Sequence, residues 1–217
     1  MELYFAPLAC SLATRICVYE AGADCTFHQV DTRAKRVADG SDFFAVNPLG
    51  MVPAVRLDSG ELLLENPALL LWFADQHSEA KLAPKDGLPR YQLIQWLSFI
   101  GTELHKLVFT PLLDSKSNDG ARAYAREKAK ARLDYLNKYL AGREFVLDRF
   151  SVADAYLIAV LNWAQFVELD LKPYGAVLAY HQRMHARPAV KKAFGEEMTL
   201  FKEQQTRRAA QQTATAT

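Results

Sequence analysis

The sequence is short of cysteine. Only Cys10, Cys17 and Cys25 occur in its 217 residues. The number is odd and there is no Cys-x-x-Cys pair. A disulfide-stapled scaffold is excluded, and neither zinc nor any other metal is expected. If Cys10 and Cys17 share a helix, their spacing puts them ~10 Å apart along its axis, too far for a bridge. Excess charge is missing as well. Twenty-six Lys and Arg face 25 Asp and Glu, leaving a net charge of +1. Proteins that live on phosphate contacts are normally far more basic, so nucleic acid is not an expected partner. Long apolar runs are absent too. The longest, residues 68–74, falls well below the ~18 residues of a membrane span. The opening MELYFAPLACS has no basic stretch before an apolar one, so no secretory signal is expected. These absences describe a reduced, cytoplasmic chain with no membrane partner.

What is present suits a globular protein: 50% hydrophobic and 24% charged residues. At ~100–200 residues per domain, the length allows one large or two small domains. Residues 1–77 alternate short apolar runs with helical patterns. Residues 2–6 read as a strand, stopped by Pro7. Residues 11–21 carry apolar side chains near a helical period, with Gly22 placed as the glycine that follows a helix. Residues 26–30 alternate like a second strand, and 32–40 read as a polar, basic loop. Residues 43–46 read as a short helical turn. Residues 54–57 and 61–64 form a hairpin about the Asp58-Ser59-Gly60 turn. Asn66-Pro67 then opens a helix to about residue 77, with Asn as the cap and Pro in the first turn. The order is βαβ followed by ββα.

Residues 78–88 read as a linker broken by Pro84 and Gly87, and nearly everything in 89–202 is helical. A long helix starts at Pro89 and runs to about Thr110, with Pro111 ending or kinking it. Another helix covers 119–140. Ser151-Val152-Ala153-Asp154 is a capping box, in which Ser caps an amide and Asp reaches back. The helix after it, 152–167, is apolar almost all round and should be the buried centre of this half. Two more helices cover 174–186 and 188–194. Residues 203–217 hold only Glu, Gln, Thr, Arg and Ala, and are expected to be disordered. The fold class is an α/β domain followed by an all-α domain.

Few residues could carry chemistry. Cys10 falls between a strand and the first turn of a helix. Free N–H groups there favour a thiolate, its own or a ligand's. Cys17 and Cys25 read as small core residues. Ser11 is a cap, a hydroxyl donor at the same turn, or both. Val52-Pro53 marks a turn or sheet edge, because Pro cannot donate to a ladder. Read alone, its peptide bond is expected to be trans. Glu65 before Asn66-Pro67 suits a ligand ammonium, beside a helix start that suits a carboxylate. That pair would take the zwitterionic end of an amino acid, or serve as ordinary capping. His105 lies late in the long helix and by itself reads as a satisfied surface residue.

The stretches LYFAPLACSLATRI, DFFAVNPLGMVPAV, WLSFIGTELHK, FSVADAYL and RMHARPAVKKAF resemble the bacterial cytosolic glutathione S-transferases, most of all the beta class. The resemblance covers the chain to about residue 195. It implies a thioredoxin-like N-terminal domain, a helical C-terminal domain, a homodimer and a cis Val52-Pro53 bond. It implies glutathione as co-substrate, with Cys10 facing its sulfur and Ser11 and His105 helping to hold the thiol. Val52 would pair with the cysteinyl backbone, Glu65 and Asn66 with the γ-glutamyl end, and Lys35 with the glycyl carboxylate. Ser98, Thr102, Glu103, Leu104 and His105 match ligand-lining positions. Asn66 stands where many members have Ser, and Ser98 where Asn is common.

The resulting function is transfer of glutathione to a small hydrophobic electrophile, in detoxification. Its pocket would be lined by Leu8, Phe109, Leu112, Trp163 and Phe166. One alternative is a glutathione-dependent thiol–disulfide reductase or peroxidase working through a mixed disulfide on Cys10. The other is a non-catalytic binder or regulatory partner with this fold.

Overall fold

The computed structural model describes residues 1–215, with side chains to residue 210. Five strands form one sheet in the order β3-β2-β1-β4-β5. They are β1 (Glu2–Phe5), β2 (Thr26–Asp31), β3 (Arg36–Val37), β4 (Ala54–Arg56) and β5 (Leu62–Leu64). β1 runs parallel to β2, with Leu3 opposite Phe27. A parallel neighbour requires a crossover, and α1 (Leu12–Ala21) supplies it. β4 and β5 pair antiparallel as the expected hairpin. β3 is a correction, because it lies in the segment read as loop and adds an antiparallel edge to β2.

Side chains alternate across β1 as strand geometry demands. Leu3 and Phe5 pack with Val55 and with Leu69 of α2 (Asn66–Gln76). Tyr4 faces the other way, with Val30, Val37, Ala54 and Phe43. Phe43 opens a one-turn 3-10 helix, Phe43–Ala45, capped by the Asp42 side chain. α2 begins at Asn66 itself, so Glu65 rather than Asn66 holds the cap position and makes no side-chain cap bond.

The remaining helices are α3 (Gly87–Phe99), α4 (Thr110–Leu113), α5 (Asp119–Leu140), α6 (Val152–Leu161), α7 (Gly175–His185) and α8 (Pro188–Thr215). A π-helical stretch, Ile100–Phe109, joins α3 to α4. Its wide turns end just before Pro111, whose ring clashes with a carbonyl four residues back in an α-helix. The capping box forms, with Ser151 and Asp154 bonded reciprocally. All ten residues of α6 are buried. Its last turns tighten into a 3-10 helix, Asn162–Phe166.

α8 is the second correction. It does not stop at Phe194 but continues to Thr215. Of the tail expected to be disordered, residues 203–215 are helical, and 216–217 lie outside the described residues. Gln204 is buried and Arg208 pairs with Asp31 at the end of β2 at 2.8 Å. Polar anchors thus replace the apolar ones the tail lacks. One hydrophobic core runs from α1 through α3 and α6 to α8. Arg15 of α1 ties the halves further. It lies over the Phe5 and Phe27 rings and pairs with Glu196 and Glu197, both at 3.0 Å.

Candidate functional site

The turn after β1 positions Cys10. Leu8 adopts a left-handed backbone, φ 60°. That conformation is costly for a branched side chain and persists only where its surroundings hold it. Here both flanking peptide groups are held by the helical half. The Leu8 N–H donates to Glu197 Oε2 at 2.7 Å, and the Leu8 carbonyl accepts from Trp163 Nε1 at 2.7 Å. Burial pushes the Glu197 carboxyl up, while Arg15 pulls it down.

Cys10 then sits at the start of α1. The backbone amides of Cys10 and Ser11 and the Lys106 charge all favour a thiolate there. Burial outweighs them and pushes the Cys10 thiol up to about 12. The side chain is therefore a thiol at neutral pH, and its S–H donates to the Val52 carbonyl at 3.5 Å. Of the two thiolates this helix start could favour, Cys10's own is disfavoured by burial and a ligand's is left open: a charge shut away from water costs more than two amides and a lysine return.

A cavity of about 220 Å³ opens beside the sulfur. Asn47 builds one wall, because its Nδ2 donates to the Met51 carbonyl at 2.7 Å and its Oδ1 accepts from the Leu49 N–H at 3.0 Å. Those bonds carry the chain into Val52-Pro53, whose peptide bond is cis, not trans as the sequence alone suggested. Lys35 Nζ reaches across to the Gly50 carbonyl at 2.7 Å. Gly50 has φ +59°, and a Cβ there would lie 2.8 Å from the Phe44 ring, so any other residue would carry backbone strain and push Phe44 aside. Glu65, with φ 66°, is exposed at the opposite wall. Of five non-glycine residues with positive φ among the described residues, Leu8, Lys35 and Glu65 border this region. Strain of this kind concentrates at functional sites.

Asn66 donates from Nδ2 to the Cys10 carbonyl at 3.0 Å, while its buried Oδ1 has no partner. His105 Nδ1 meets the Tyr156 hydroxyl at 2.8 Å. Burial and the neighbouring Lys106 lower His105 to about 4, so it is neutral near pH 7. Where Nδ1 accepts from Tyr156, the ring proton sits on Nε2 and can be donated to a ligand.

Cys10, Lys35, Val52, Pro53, Glu65, Asn66 and His105 thus line one cavity. The other candidates lie elsewhere. The Ser11 hydroxyl is fully buried and bonds the Ala6 carbonyl and amide at 3.3 Å, so it does not cap α1, and it is not in the lining of this cavity. Ser98 and Thr102 are exposed and return their hydroxyls to the helix backbone. Glu103 is bound by Arg132 through two bonds of 3.0 and 2.6 Å. Leu104 is core. Sequence reasoning missed Tyr156, Lys106 and Asn47. A tyrosine inside an otherwise apolar helix was the available signal, since a buried hydroxyl needs a partner.

A larger cavity of about 720 Å³ adjoins the same sulfur and also meets Cys10, Lys35 and His105. Leu8, Trp163 and Phe166 line it as expected. Phe109 and Leu112 do not; they are 0% and 5% exposed, within the helical core. Their place is taken by Leu113 and by Phe201, Gln204 and Arg208 from the unforeseen part of α8. Among the described residues, no group of three or more His, Cys, Asp and Glu is placed to hold a metal ion. No helix among them is long and apolar enough to cross a membrane.

Comparison with known proteins gives a consistent result. Residues 102–188 match the family model for the glutathione S-transferase C-terminal domain. The chain is 42% identical to glutathione S-transferase GstA of Escherichia coli O157:H7, over 91% of this chain and 98% of that one. Among solved structures it is similar to a sphingomonad glutathione S-transferase complexed with glutathione. The TM-score is 0.87 and the identity 46%, over 91% of this chain and 98% of that one. It is also similar to BphK, a bacterial transferase solved as a ternary complex, with TM-score 0.88 and 41% identity over 91% and 99%.

Proposed function

From a chain that belongs to the glutathione S-transferase family, we propose that the smaller cavity binds glutathione beside Cys10. The enzyme is a glutathione transferase with a thioredoxin-like N-terminal domain. Its glutathione thiolate attacks a hydrophobic electrophile held in the larger cavity. The Glu65 carboxylate takes the γ-glutamyl ammonium, the Val52 backbone pairs with the cysteinyl unit, and Lys35 leaves Gly50 for the glycyl carboxylate. The amides of Cys10 and Ser11, the Lys106 charge and the Nε2–H of His105 stabilise the thiolate. Each unit by which they lower its pKa is ~1.4 kcal/mol of preference for the charged form.

A homodimer in the cytoplasm is part of this reading. The dimer is supported by large side chains left in water, with Leu49 61% and Tyr91 71% exposed.

The observation that carries the choice of conjugation over redox chemistry is the buried, protonated Cys10 thiol donating to Val52. Disulfide exchange needs a thiolate to attack, whereas a thiol is a hydrogen-bond donor for a neighbouring thiolate. Cys10→Ala tests this. Transfer of glutathione to chlorodinitrobenzene is expected to fall by about tenfold to a hundredfold, the size of one hydrogen bond to a charged group. Loss of all transfer, with strong glutathione-dependent disulfide reduction by the unmodified protein, would establish the reductase instead.

A further inference from the structure

The acceptor side of the larger cavity carries information about the electrophile, which depends on the transferase reading above. Its far wall is one face of α8. Glu197, Phe201, Gln204 and Arg208 follow one another at intervals of four, three and four, so they share that face. Glu197 holds Leu8, and Phe201 packs on Phe166 with ring centroids 5.6 Å apart. Gln204 is buried, and the half-buried Arg208 reaches Asp31 at 2.8 Å. An adjoining cavity of about 310 Å³ shares Gln204 and Arg208 and adds Arg36 and Arg207. The two cavities together are bordered by Arg33, Lys35, Arg36, Arg207 and Arg208 against Asp31 and Asp114. That is a larger positive excess than the +1 of the entire chain. Aromatic rings near the sulfur and guanidinium groups beyond them make a pocket with an apolar start and a cationic end.

We propose that Arg208 anchors an anionic group on the acceptor, and that the preferred substrates are aromatic electrophiles bearing a carboxylate or sulfonate away from the reacting carbon. The guanidinium has five donors in a fork, enough to keep Asp31 and accept a second anion. With a chloroarene, the glutathione sulfur forms a bond to the ring carbon. The carbon–chlorine bond breaks, chloride leaves with the electron pair, and the thiol proton goes to water.

The test compares chlorodinitrobenzoate with uncharged chlorodinitrobenzene in the full-length protein. Arg208→Gln should lower the ratio of their kcat/KM values, acid over neutral, by about tenfold, as for a lost charge-assisted hydrogen bond. Arg208→Lys, which keeps the charge but not the fork, should lower it less. Asp31→Asn, which removes the competing carboxylate, should raise it. A ratio unmoved by Arg208→Gln, or a fall shared equally by both acceptors, overturns the proposal. If the unmodified protein transfers glutathione to neither, the transferase reading fails and the anchor is tested by calorimetry with dinitrobenzoate, which has no leaving chloride. Binding about tenfold weaker to Arg208→Gln supports the anchor. Equal binding refutes it.

Discussion

The two cavities that share Cys10 are built in opposite ways. The smaller is made of tight turns around a sheet edge, and most of its lining lies within residues 10–66. Its backbone is fixed by a short-range bond, Asn47 to Met51, and by the longer-range bond of Asn66 to Cys10. The larger gathers residues 6–10 and the loop after β2 with Thr110, Leu113, Trp163, Phe166, Phe201 and Arg208, and much of its wall is side chain carried on helices. Thiol chemistry is thus held by turns that tolerate little change. On the proposed function, acceptor choice rests on helix faces, where Phe166 and Phe201 stand apart from the Cys10 turn and Trp163 also supports it.

The sharpest way to break this division is at Glu65. Glu65→Ala should raise the glutathione KM about a hundredfold, some 3 kcal/mol, as expected for a charge pair losing one partner. The acceptor KM should move far less. Steady-state kinetics with each substrate varied in turn would show it, and equal effects on both would mean the cavities are not separable.

His105 borders both cavities and gives a second, smaller effect. Its folded value is about 4 against an ordinary 6.5. Below pH 6.5 the unfolded chain takes up this proton and the folded chain does not. The stability is therefore complete above that pH and is lost as pH falls towards 4. The loss by pH 5 is about 2 kcal/mol. Urea unfolding at several pH values should show this slope, and His105→Gln should remove that share of it. The smallest effect belongs to the acceptor wall. Phe166→Ala, removing one ring of the Phe166–Phe201 pair, should raise the acceptor KM about fivefold, near 1 kcal/mol. The glutathione KM should rise less, and a larger shift there would join the two cavities.

The same contrast explains what the sequence disclosed. β1, α1, the β4–β5 hairpin and the α6 capping box follow from periodicity and turn chemistry written in adjacent residues. β3 has two residues, of which only Val37 is buried, too few for any alternation to show. The end of α8 looked featureless because its anchors are polar. Gln204 and Arg208 hold it through burial and an ion pair made with β2, which no local pattern records. Its composition nevertheless favours helix, since Ala, Gln, Glu and Arg are all good helix formers. At the site, Cys10, Val52 and Glu65 were visible because each stands beside a proline or at a helix start. Tyr156 was hidden inside an apolar run. Phe109 and Leu112 were placed in the pocket because helical spacing does not say which face of a buried helix meets a void and which meets other side chains.

The core that runs unbroken from α1 to α8 has a bearing on how the molecule comes apart. Arg15, Glu197, Leu8 and Trp163 cross the boundary between its halves beside the sulfur. Separating those halves would expose apolar surface on both and strip the Cys10 turn of its supports at once. Loss of transfer activity is therefore expected to track loss of tertiary structure when the chain is denatured, because the Cys10 turn is supported from both halves.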